Sequence, residues 1–243
     1  MKKLIAAVCL AGACFAALAS DLAREKKWAD EILPAILVGD PVYIDLPNKH
    51  KFLGLLAEAS KPKAAVIVVH GIGVHPDHGL ISPLRQQLVD AGYTTLSIQM
   101  PILKADAKSE DYPPTFDEAA QRLEKAAAFL QAKGYKKIAL VSHSMGCRMS
   151  YRYLGSRADA PIAAWVAIGN SALDDYGKLK LPVFDLYGQN DLPAVVKNAP
   201  KRAAWLKDRA GSRQQSVPGA NHFFEGLDTT LIEAVRGYLD QTL

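Results

Sequence analysis

The chain is poor in cysteine, with three in 243 residues. Two of them, Cys9 and Cys14, lie in the first twenty residues, so the body of the chain keeps only Cys147 and has no internal disulfide to rely on. It also lacks a block of like charge. Basic residues number 29 against 25 acidic ones, with both signs interspersed, so nothing asks for nucleic acid or an anionic membrane surface. No apolar run is long enough for a bilayer, which needs about 20 residues. No repeat or low-complexity segment is present. What remains is 49% hydrophobic residues, ample for the core of one domain.

The opening stands apart from that core. Met1-Lys2-Lys3 is a positive start, Leu4 to Leu18 is a short apolar stretch, and Ala17-Leu18-Ala19 fits a small-residue cleavage site. Residues 1–19 are therefore expected to be an export signal and 20–243 a single domain in the periplasm or outside the cell, with no stable membrane span after cleavage. Removal of Lys2 and Lys3 leaves 27 basic and 25 acidic residues, a net charge of +2. Oligomeric state is left open by the sequence.

From Asp21 to Ile36 an amphipathic pattern predicts a surface helix ended by Pro34, so residues 20–40 form a helical extension. Pro41 to Leu46 and Lys51 to Leu56 follow as an antiparallel strand pair. Then strand and helix patterns alternate. Strands are expected at Ala64–Val69, Thr94–Met100, Ile138–Val141, Ile162–Ile168, Val183–Tyr187 and Gln214–Val217. Helices are expected from Ser82-Pro83 with a serine cap, from a capping box at Thr115-Phe116-Asp117-Glu118, after the turn at Ser144, around Ala203, and from Thr229. That order predicts an α/β fold, a three-layer α/β/α sandwich on a mostly parallel sheet of about eight strands. The stretch from Gly169 to Pro182 is too short to hold a cap domain.

The chemistry is expected at the carboxyl ends of the strands. Ser142-His143-Ser144-Met145-Gly146 lies between an apolar strand and a helix, as a sharp turn exposing a nucleophilic serine requires. A serine hydroxyl needs a base to take its proton, and a carboxylate to hold that base. His222 is the sole histidine after Ser144, and it follows the last strand. Asp191, just past the preceding strand, is the acid, with Asp174 and Asp175 as fallbacks. Asp185 lies within a strand and is set aside. The oxyanion donors are expected to be the backbone N–H groups of Met145 and Ile72. His70, Gly71 and His143 line the substrate site, although His143 also suits packing beside the turn. Cys147 and Trp165 belong to the core.

His70, His75, Asp77 and His78 do not have the spacing of a helical zinc site, and no metal or other cofactor is expected. The loops after His70 and after Met100 should shape the pocket. The second of these, Pro101 to Pro114, carries Asp106, Glu110, Asp111 and Tyr112 and is the expected specificity element.

From about Tyr43 to the end, the HGIG, SHSMG, GQND and GANHFF segments resemble the α/β-hydrolase superfamily in order and spacing. The leader, with the run from His75 to Arg85, is similar to a group of bacterial secreted hydrolase-like proteins without a settled substrate. The resemblance implies hydrolysis of a small-molecule ester, thioester or amide by a serine enzyme of carboxylesterase type. Ser142 departs from the usual elbow glycine. A serine in place of aspartate at the elbow argues against haloalkane or epoxide chemistry. The alternative is an envelope protein that keeps the fold, hydrolyses little, and binds a ligand or partner in the same cleft.

Overall fold

The computed structural model describes residues 20–243; the expected export signal, 1–19, lies outside the described residues. An eight-stranded sheet runs in the order β1-β2-β4-β3-β5-β6-β7-β8. The strands are β1 (Asp40–Asp45), β2 (Lys51–Ala57), β3 (Ala64–Val69), β4 (Tyr93–Ile98), β5 (Ile138–His143), β6 (Ala164–Ile168), β7 (Val183–Asn190) and β8 (Arg213–Asn221). The β1–β2 and β2–β4 pairs are antiparallel, and β4, β3, β5, β6, β7 and β8 form a parallel set. Every residue of β3 and β5 is buried, as expected for apolar strands covered on both faces.

The helices are α1 (Leu22–Ile32), α2 (Ile81–Asp90), α3 (Phe116–Ala132), α4 (Met145–Ser156), α5 (Pro193–Leu206) and α6 (Asp228–Thr242). Alternation along the strands splits the core. Ala65, Ile67 and Val69 pack with side chains of α3 and α4, whereas Val66 and Val68 pack with α2 and α6. The expected three-layer sandwich is what forms. Residues 169–182 hold a single 3₁₀ turn, Tyr176–Lys178, and no cap. Among the described residues no helix is long and apolar enough to cross a membrane.

Two helix starts differ from expectation. Helix α2 begins at Ile81, so Ser82 lies inside it and accepts from Gln86 Nε2 at 3.0 Å rather than capping. Thr115 precedes α3 with a helical backbone, and its hydroxyl donates to the Tyr112 carbonyl at 2.8 Å. The 3₁₀ turn Pro113–Thr115 leads into the helix and supplies this entry, so no capping box is needed.

Helix α1 lies against β2 through Ala29, Leu53 and Leu55. It also reaches the loop after β3. Arg24 donates to the carbonyls of Gly73 at 2.8 Å and Leu103 at 2.6 Å. One residue on, Glu25 is paired with the buried Arg122, which in turn holds the Gln99 carbonyl at 2.9 Å.

Candidate active site

Ser144 sits between β5 and α4 with φ 56° and ψ −122°, a conformation costly for any residue with a side chain. Its N–H donates to the Ile168 carbonyl of the neighbouring strand at 2.9 Å, which pins the turn. Helix and strand nearly collide here. A Cβ on Gly146 would stand 2.5 Å from the His70 carbonyl oxygen, so glycine is required. At position 142 the sheet has room for a serine because its fully buried hydroxyl is matched. Ser142 Oγ lies 2.7 Å from Ser150 Oγ on α4 and accepts from Trp165 Nε1 at 3.2 Å. Cys147 is fully buried, and its Sγ donates to the Ser142 carbonyl at 3.2 Å.

Three strand ends deliver three side chains to one line. His222 Nε2 is 3.0 Å from Ser144 Oγ, and His222 Nδ1 is 2.6 Å from Asp191 Oδ1. The carboxylate only accepts, so Nδ1 carries the ring proton and Nε2 is free to accept from the serine. Asp191 is held by two backbone N–H groups, from Leu192 to Oδ1 at 2.7 Å and from Gly188 to Oδ2 at 3.2 Å. Asn221 sets the turn after β8, its Oδ1 accepting from the N–H groups of Phe223 and Glu225.

The other acids are elsewhere. Asp185 is buried in an ion pair with Arg202. Asp175 accepts from the Gly177 N–H. Asp174, its carboxyl pushed up to about 6 by burial, lines a separate cavity beside α4.

The loop after β3 runs against the serine: a Cβ on Gly71 would stand 3.3 Å from Ser144 Cβ. Ile72 follows immediately, and the Met145 N–H is the first of α4, where no carbonyl one turn earlier exists to receive it. Ile72 lines the cleft in front of Ser144. His70 does not face that space. Its ring is fully buried, Nδ1 donates to the Gly71 carbonyl at 2.8 Å, and Nε2 accepts from the Met100 N–H at 2.9 Å. It braces the loop from beneath as a neutral ring, its pKa pushed down to about 3 by burial. His143 does reach the cleft wall; it is also held by the His222 carbonyl, 3.0 Å from its Nε2, and is kept neutral in the same way.

The cleft in front of Ser144 encloses about 250 Å³, lined by Val74, Leu80 and Ile81 on one side and by Leu192 and Phe223 on the other. The segment from Pro101 to Pro114, expected to set specificity, contributes nothing to this lining. Its apolar residues turn inward instead: Tyr112 is buried and accepts from the Leu103 N–H at 3.2 Å. Gly169 is a contributor that sequence reasoning missed. At φ +62°, its bare Cα faces the His222 ring, and a Cβ there would meet Nδ1 at 3.0 Å. A glycine directly after a buried strand, at the level of the other strand ends, is the signal that marks it.

Sheet order, elbow and the serine–acid–histidine sequence along the chain define an α/β-hydrolase fold. Solved structures agree. A dienelactone hydrolase from Anabaena variabilis superposes with a TM-score of 0.70 at 21% identity, covering 84% of this chain and 97% of its own. Est1E from Butyrivibrio proteoclasticus, solved with ferulic acid bound, gives 0.68 at 16% identity, covering 83% and 98%. A lid-less α/β serine hydrolase from Xanthomonas campestris gives 0.66 at 16% identity, covering 86% and 96%. Within that fold the chain belongs to the family described as Protein of unknown function (DUF3530), whose model matches residues 43–115 and 103–241. Among curated proteins none matches the sequence.

Proposed function

We propose that this protein is an exported serine hydrolase that cleaves carboxylic esters through an acyl-enzyme on Ser144. The observation that carries the reading is the unbroken relay from Asp191 Oδ1 through His222 to Ser144 Oγ, at 2.6 and 3.0 Å. In this reading Ser144 Oγ attacks the ester carbonyl while His222 Nε2 takes its proton. Asp191 stabilises the imidazolium that results. The N–H groups of Met145 and Ile72 receive the charge on the tetrahedral oxygen, a contribution of about 10²–10³ in rate per donor in comparable sites. Collapse expels the alcohol, which takes the proton from His222. A water activated by the same histidine then releases the acid. Thioesters and amides share this chemistry and differ in the leaving group.

The hydrolases and esterases among the structural neighbours support the reading through the fold alone. A fluorophosphonate probe tests it: the wild-type protein is labelled and Ser144→Ala is not. Folded wild-type protein that takes no label, or label that survives Ser144→Ala, would sink the proposal and leave a binding role in the same cleft. Export is tested separately by sequencing the amino terminus of protein recovered from the cell envelope or medium. A start at Ser20 is expected, and a retained Met1 in that fraction would overturn it.

A further inference from the structure

Resting on the serine-hydrolase reading, we infer that the site takes neutral esters with short, apolar acyl chains, seated against Val74, Leu80 and Ile81, and rejects acyl groups that end in a carboxylate. Size comes first. At about 30 Å³ per small group, a cleft of about 250 Å³ has room for roughly eight non-hydrogen atoms, the size of a hexanoyl or octanoyl group. Its mouth continues the apolar surface, with Ile72 37%, Leu192 47% and Phe223 48% exposed.

Charge decides the second half. Among the described residues no Lys or Arg lines the cleft. Arg24 is held by the carbonyls of Gly73 and Leu103, and the buried Arg85 by Asp77 and the Val38 carbonyl with its Nη2 left over; neither reaches the cleft lining. Arg148 lines the separate cavity beside α4. The two histidines that line the cleft beside His222 are disfavoured as cations by burial, His143 strongly and His78 to a lesser degree. The start of α2 reaches the cleft at Leu80 and Ile81, where a helix could offer amides to an anion. Those amides are already used. Ile81 N–H donates to His78 O at 3.1 Å, Ser82 N–H to Gly79 O at 3.2 Å, and Leu84 N–H to Leu80 O at 3.2 Å; Pro83 has none. A carboxylate on the acyl chain would lose its water and gain no partner.

The test is a series of p-nitrophenyl esters from acetate to dodecanoate, with mono-p-nitrophenyl succinate as the anionic member. The specificity constant should rise about two- to fourfold per methylene up to hexanoate or octanoate, then level or fall. Succinate should lie about 30-fold or more below butyrate. Leu192→Arg, a change at an exposed position that does not threaten folding, should narrow that gap about five- to tenfold. Ile81→Trp should shift the optimum to shorter chains. A flat series, or succinate equal to butyrate, would overturn the inference while the nucleophile reading stands. So would fluorophosphonate labelling of Ser144 with every neutral ester left intact. Absence of labelling removes the hydrolase reading, and this inference with it.

Discussion

Gly169→Ala tests how closely the site is fitted. Gly169 directly follows β6 at φ +62°, and its N–H is fixed to the Leu186 carbonyl at 2.8 Å, so the backbone resists moving away. The new methyl would stand 3.0 Å from both Cε1 and Nδ1 of His222 and 3.5 Å from Asp191 Oδ2. Comfortable carbon contacts lie near 3.5–4.0 Å, so the ring must retreat by about 0.5–1 Å. That motion stretches both bonds of the relay. A misplacement of about 1 Å costs on the order of 10²-fold in rate, and a left-handed alanine costs about 1–2 kcal/mol of stability. We therefore expect hydrolysis of p-nitrophenyl butyrate to fall about 100-fold while the urea midpoint falls only modestly. Gly134→Ala is the control, at φ +94° with open space around its Cβ. It should share the backbone cost and keep its activity. Turnover of Gly169→Ala within about threefold of wild type would show that the His222 ring is not seated against position 169 during the reaction.

Four further changes probe the rest of the site. Asp191→Asn should lower turnover by on the order of 10⁴, as in serine hydrolases generally; wild-type turnover would show that His222 needs no carboxylate at this position. Ser142→Gly restores the usual elbow residue but strips Trp165 Nε1 and Ser150 Oγ of a buried partner. Chemical denaturation should show a loss of about 1–3 kcal/mol with turnover near wild type, and unchanged stability would refute this account of the serine. Arg24→Ala frees the carbonyls of Gly73 and Leu103, so kcat should fall about tenfold with KM little changed if the Ile72 amide acts on the transition state as proposed; a rise in KM alone would argue against it. Burial pushes the pKa of His70 and His143 down to about 3, so the stability they confer is complete above about pH 6.5 and is lost as pH falls toward 3, by about 2 kcal/mol each at pH 5. Asp174, raised to about 6, works oppositely and offsets part of this, so the urea midpoint should drop between pH 7.5 and 5, and a flat profile would contradict it.

The parts of the molecule legible in the sequence are those where one residue type answers one physical demand. Continuous apolar runs such as Ala64–Val69 have no place except a strand buried on both faces. Ser144, Asp191 and His222 could be picked out because each sits at the carboxyl end of an expected strand, and strand ends in a parallel sheet all open on the same side. Helix starts were less legible. Ser82 and Thr115 look like caps, but a preceding turn supplied the geometry in each case, and a turn is set by backbone angles that residue names specify weakly. The segment from Pro101 to Pro114 failed for a related reason. Its charges suggested a polar binding loop, whereas its conformation is organised by the buried Tyr112 ring.

His70 and Ser142 carry the more general lesson about direction. A histidine next to a glycine loop at a strand end is the same string of letters whether its ring points into the cleft or beneath it. What decides is the demand from the other side. The Gly71 carbonyl and the Met100 N–H both need a partner, and a neutral imidazole supplies an acceptor and a donor at once. The serine at the elbow follows the same logic from the opposite sign. Glycine is usual there because the helix above leaves no room, so a side chain at 142 requires α4 to present something small and polar in return. Ser150 does so, eight residues later on the buried face of the helix, with the Trp165 indole closing the third side. The departure from the motif and its compensation are a single feature, which predicts that Ser142→Gly and Ser150→Ala are each destabilising alone and less than additive together.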